Sequence, residues 1–112
     1  MPPKDDLLET CNNAIHIAKS KITECHDKYS DDLGIGDKIT NKLCDVLDVL
    51  EAKKILLMRR PSEYYESDML YVIFNLALLT GMLSSYLQKG NLNKDQMIEL
   101  NQIYRKYKNE KK

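Results

Sequence analysis

Tryptophan is absent from this chain, phenylalanine occurs once, and proline and glycine number only three and four. With hydrophobic residues at 43% and charged residues at 30%, that composition excludes a collagen-like, low-complexity or wholly disordered polypeptide. No charge of either sign is in excess. Seventeen Lys and Arg offset seventeen Asp and Glu, so the strongly basic balance of a dedicated nucleic-acid binder is missing. Cysteine is sparse and odd in number, at Cys11, Cys25 and Cys44, without a Cys-x-x-Cys pair, which argues against a disulfide framework and for buried thiols. The opening Met1-Pro2-Pro3-Lys4-Asp5-Asp6 lacks the charged, apolar, small-residue order of a secretory signal, and together with reduced cysteines it predicts a reducing, cytoplasmic setting.

What is present is enough for one domain. The 112 residues and 13.0 kDa predict a single helical domain over 1–112, fraying at about 1–4 and 108–112. Seven tyrosines and five methionines form a side-chain mix suited to contact surfaces with one wet edge. Charge is unevenly spread: residues 93–112 carry six basic and three acidic side chains, so the C-terminus is the basic end.

Four helical segments are legible, and no strand pattern competes with them. In the first, Asp6 to Tyr29, residues Leu7, Leu8, Cys11, Ala14, Ile15, Ala18, Ile22 and Cys25 recur at threes and fours, the spacing of one helix face. Ser30 to Asp37 holds Gly34 and Gly36 and predicts a loop, with Asp37 as the N-cap of the next segment. That segment, Lys38 to Arg59, has an apolar stripe of Ile39, Leu43, Val46, Leu47, Leu50, Leu56 and Leu57. Pro61 ends it, because the residue before a proline is pushed out of helical geometry, and Ser62 is placed to cap a third helix beginning at Glu63. Gly90 predicts a left-handed stop for the third helix. Asn93 and Gln96 form a capping box, with Leu92 and Met97 as its apolar staple, opening a shorter fourth helix whose stripe is Met97, Leu100, Ile103, Tyr104 and Tyr107. Short connections between long amphipathic helices predict antiparallel neighbours, hence an all-α, up-down-up-down four-helix bundle with a short last member.

The third helix departs from the pattern. From Met69 to Gln88 there are twenty residues without a charge, the length of a membrane span, and Ala77, Gly81 and Ser85 form a row of small residues at helical spacing. Asn75, Thr80, Ser84, Ser85 and Gln88 dilute the run, and the other three helices need an apolar partner in water, which favours a soluble bundle over a single-span membrane protein. On a helical wheel Met69, Val72, Ile73, Leu76, Thr80, Leu83 and Leu87 face the core. The opposite sector holds Tyr71, Phe74, Leu78, Met82 and Ser85. Either the helix is central and wrapped by the others, or that sector is an interaction surface.

Chemistry is hard to place on these residues. Asp48-x-x-Glu51 and Glu63-x-x-Glu66 resemble the paired carboxylates of the all-α nucleotide pyrophosphohydrolases, but about the Pro61 turn they fall roughly 10 Å out of register; a Lys54–Asp68 surface pair is expected instead. His16 and His26 lie ten residues apart without a carboxylate or thiol at helical spacing, too far along the axis to share a metal. Cys25, four residues after Lys21, has no base or oxyanion donor in view. Gly34-Ile35-Gly36 lacks the third glycine and lysine of a phosphate loop. The surrounding Asp32-Leu33-Gly34 resembles the loop of acyl carrier proteins but has no attachment serine, so no carrier role follows. Arg105, Lys106, Lys108, Lys111 and Lys112, interleaved with Tyr104 and Tyr107, are candidate nucleic-acid contacts, although one tail is a small basic surface for phosphate binding.

The sequence therefore predicts a protein–protein interaction module: an adaptor, inhibitor or homo-oligomeric scaffold. No catalytic residue, metal or cofactor is expected. The expected anchors are Tyr71, Phe74, Leu78 and Met82, with Ser85 and Gly81 permitting close approach.

Overall fold

The computed structural model describes residues 4–30 and 37–109. They form α1 (Lys4–Tyr29), α2 (Lys38–Arg59), α3 (Tyr65–Lys89) and α4 (Lys94–Asn109), with no strand among the described residues. The result is an all-α four-helix bundle measuring 46 × 24 × 24 Å. The glycine loop with Gly34 and Gly36 falls outside the described residues.

Each helix starts or ends where local chemistry supplies a partner for its free backbone groups. Asp37 caps α2, accepting the Thr40 N–H at 2.9 Å. The capping box of α4 is reciprocal: the Gln96 N–H donates to Asn93 Oδ1 at 2.8 Å and the Asn93 N–H donates to Gln96 Oε1 at 3.0 Å. Gly90 ends α3 at φ 75° and its N–H donates to the Tyr86 carbonyl, a left-handed stop that a side chain would strain. At the proline turn, Ser62 Oγ accepts the Tyr64 N–H, and helical geometry resumes at Tyr65 rather than Glu63.

The core is built from the apolar stripes. Cys11, Ile15, Ala18, Ile22 and Cys25 of α1, Leu43, Val46, Leu47, Leu50 and Leu57 of α2, and Leu100, Ile103 and Tyr107 of α4 are all buried. α1 lies along most of α3, α4 packs mainly on α2 and only lightly on α3, and α1 and α4 do not meet. Polar anchors fix the ends. The Tyr29 hydroxyl donates to the Tyr86 and Leu87 carbonyls at 3.0 and 3.2 Å, and the Lys28 ammonium donates to the Leu87 carbonyl at 2.6 Å. The end of α1 thereby satisfies the last-turn carbonyls of α3 and places a cation at the negative pole of its dipole.

α3 is turned about its axis relative to the expected facing. Met69, Val72, Leu76 and Leu83 are buried as expected, but Tyr65, Leu79, Met82 and Tyr86 join them, while Ile73, Thr80 and Leu87 are only half-buried. At about 100° per residue, the buried face is rotated by roughly 50°. Two hydrogen bonds on that flank account for the turn. The Tyr86 hydroxyl donates to Asp37 Oδ1 at 2.7 Å, and the Asn75 amide donates to the Tyr107 hydroxyl at 3.0 Å. Buried hydroxyls need such partners, and this facing supplies them to Tyr86 and Tyr107.

Candidate functional site

That rotation decides which side chains of α3 reach solvent. Tyr64, just before α3, is 63% exposed, and Leu70, Tyr71 and Phe74 are 50%, 57% and 59% exposed. They sit at threes and fours along one side of the helix. With Glu63, Glu66 and Ser67 they line a shallow open groove of about 680 Å³. Farther along the same side, Ala77, Gly81 and Ser84 are exposed, and a Cβ built on Gly81 meets nothing within 4 Å. The outer face of α3 is thus bulky in its first half and flat in its second, without a charge from Met69 to Gln88.

The anchors expected from the sequence separate into three groups. Tyr71 and Phe74 are exposed and Gly81 is open to solvent; Leu78 and Ser85 are half-buried. Met82 is not on the face. It is 3% exposed and belongs to the core, because the rotation of α3 carries it next to Leu79 and Tyr86 on the helix surface. Leu70 and Tyr64, which the wheel drawn from Met69 left out, take its place. Their signal was in the sequence: Leu70 and Phe74 are four residues apart, and Tyr64 precedes Tyr71 by seven, the spacing of one helix side.

The flank of the face is basic. Lys106 of α4 places its ammonium 5.2 Å from the Tyr71 ring centre and 5.3 Å from that of Tyr107, a cation held over aromatic faces. Lys108 sits similarly over Tyr104 at 5.2 Å. Arg105, Lys106 and Lys108 are exposed, while Lys111 and Lys112 lie outside the described residues. Elsewhere, Lys54 donates to Asn12 Oδ1 at 2.9 Å rather than pairing with Asp68, and Glu51 is bridged by Lys19 at 3.1 Å. α1 is the nearer partner for both.

No group of three or more His, Cys, Asp or Glu among the described residues is placed to hold a metal ion. The three cysteines are free, with Cys11 and Cys25 buried and Cys44 half-buried. Burial pushes the Cys11 thiol up to about 11, with Lys54 opposing and Glu51 adding to the effect; burial likewise raises Cys25 and Cys44. Nucleophilic cysteines need the opposite shift. A polar cluster that sequence reasoning missed joins Asp37, Thr40 and Tyr86. Burial works to raise the Asp37 carboxyl, yet the Thr40 N–H and the hydroxyls of Tyr86 and Thr40 together hold it below its ordinary value. Burial and donation to Asp37 raise Tyr86. Both groups keep their charge states near neutrality, and the cluster closes the α2–α3 end of the bundle.

α3 is long and apolar enough to cross a membrane by length and composition, with a mean hydropathy of 1.6 over its most apolar window, one third of which is buried inside the bundle. No protein-family model, curated protein or solved structure matches the chain.

Proposed function

We propose that this chain is a non-enzymatic interaction module that works by burying the outer face of α3 against another protein surface, as an adaptor, inhibitor or homo-oligomeric scaffold. One observation carries the reading: Tyr64, Leu70, Tyr71 and Phe74 stand exposed side by side around a single groove. Isolated exposed apolar residues are ordinary, whereas a contiguous patch of several hundred Å² marks an interaction site. Aromatic side chains at its centre and carboxylates at its rim are the usual anatomy of such a site. The work done is desolvation of those rings, and Tyr hydroxyls at the edge supply direction.

The test is site-specific photocross-linking in cells, with a photoreactive phenylalanine at Phe74 and, as control, at the exposed Asn13 of α1. The reading predicts a discrete adduct from the Phe74 position that Leu70→Glu abolishes. Equal cross-linking from both positions contradicts it.

A further inference from the structure

The occupant of the α3 face can be named from the face itself. We infer that it is a second copy of this chain, with the two α3 helices crossing antiparallel so that Phe74 of one copy seats on Gly81 of the other. The inference rests on the interaction reading above and specifies its partner.

Three features carry it. The first is shape. The bulky half of the face, Leu70 and Phe74, and the open half, Ala77 and Gly81, are offset along one helix by seven residues between Phe74 and Gly81. Reversing a second copy about a two-fold axis between Ala77 and Leu78 puts each Phe74 opposite the partner's Gly81, and the same operation satisfies both copies at once, as an isologous interface requires. The space over Gly81 is vacant within one chain; a ring laid on it loses water on both sides and meets no side chain.

Charge is the second feature. From Met69 to Gln88 the helix carries no charge of its own, so what attracts or repels a copy lies at the rim: Glu63 and Glu66 at one end and Lys106 on the flank. In the antiparallel register the Glu66 end of one α3 lies level with Lys89 of the other, and the helix dipoles lie antiparallel. A parallel pair would bring Glu66 level with Glu66 and Phe74 level with Phe74, so the ring of one copy would not meet Gly81 of the other.

Third is area. At about 200 Å² for a whole aromatic side chain, the exposed parts of Tyr64, Leu70, Tyr71 and Phe74 amount to on the order of 450 Å². Exposed Ala77, Gly81, Ser84 and Gln88 and half-buried Leu78 and Ser85 extend that area toward the ~800 Å² per partner of a standard interface.

The experiment measures absolute mass by light scattering over a concentration series without detergent, on the wild type, Phe74→Glu and Gly81→Leu, with helicity followed by circular dichroism. Both substitutions sit on exposed positions, and a side chain at 81 has room in the single chain, so helicity is expected to hold. The wild type is expected to be a dimer whose dissociation constant rises at least tenfold in both variants. Register is read separately in a Cys44→Ser background. Phe74→Cys mixed with Gly81→Cys is expected to cross-link under oxidised glutathione, whereas Phe74→Cys alone is not, since its two copies lie ~10 Å apart along the axis. A wild type that stays monomeric overturns the second copy and leaves the face to a different protein. A dimer indifferent to both substitutions overturns the second copy on this face, and a chain that partitions onto neutral phosphatidylcholine vesicles as a monomer overturns the interaction reading as well.

Discussion

Replacing Asp37 with alanine removes the acceptor at the centre of the cluster that orients α3, and its cost follows from the bonds it breaks. The Asp37 carboxylate caps α2 through the Thr40 N–H, accepts the Thr40 hydroxyl at 2.7 Å and accepts the Tyr86 hydroxyl at 2.7 Å. Loss of an N-cap costs about 1 kcal/mol. The two hydroxyls belong to buried residues, and a buried donor left without its acceptor costs about 1–3 kcal/mol. A total of about 3 kcal/mol is expected, a large share of the ~5–15 kcal/mol that holds a domain together. Asp37→Asn keeps an acceptor and a good N-cap and is expected to cost about 1 kcal/mol. Urea unfolding at pH 7, followed at 222 nm, reads these values. A double-mutant cycle with Tyr86→Phe isolates the bond between the two side chains, expected at about 1.5–3 kcal/mol because the acceptor is charged. Since the folded-state carboxyl lies below its ordinary value, its contribution is complete above the unfolded-state range near ~4 and is lost as pH falls through the folded-state value. The acid limb of stability is therefore expected to be shallower in Asp37→Asn than in the wild type. Additive single effects, or an Asp37→Ala chain within ~0.5 kcal/mol of the wild type, refute the reasoning.

Three further outcomes follow from the same structure. Met82→Ala is expected to lower stability by about 2–4 kcal/mol, as large-to-small changes in a core do, while Phe74→Ala, on an exposed position, costs under ~1 kcal/mol in a concentration range where the chain is monomeric; denaturant midpoints separate the two. Thiol labelling with a coloured disulfide reagent at pH 8 is expected to modify Cys44 at least a hundredfold faster than Cys11, because Cys11 is buried and its thiol is pushed up to about 11; equal rates contradict the packing of α1. Asn93→Ala breaks the reciprocal capping box and is expected to cost about 1 kcal/mol, with faster amide exchange confined to the first turn of α4.

The helices were legible because their ends are written in local chemistry. Asp37, Pro61, Gly90 and the Asn93–Gln96 pair each act within a few residues, so reading the chain in order finds them. The apolar stripes of α1, α2 and α4 were largely plain, since charged residues mark their opposite faces, although Val49 joins the core outside the expected α2 stripe and Leu56 within it is half-buried. α3 offered no such mark. With no charge from Met69 to Gln88, its wheel has no polar side to point outward, and its facing is set by partners remote in sequence: Asp37 for Tyr86, forty-nine residues away, and Tyr107 for Asn75, thirty-two away. Those bonds moved Met82 into the core and Leu70 to the surface. Tyr71, Phe74 and Gly81 were identified correctly as exposed because they lie near the middle of the outer face, where a turn of roughly 50° still leaves them in solvent.

Phe74 is the only phenylalanine in the chain, so biosynthetic incorporation of 4-fluorophenylalanine places one fluorine at the centre of the α3 face. Fluorine NMR across a concentration series, in H2O and in D2O, then reports directly whether that ring leaves water. The resonance is expected to move with concentration toward a state that has lost its solvent isotope shift, and Gly81→Leu is expected to prevent the change. A single solvent-exposed resonance that holds its position from micromolar to millimolar chain contradicts it.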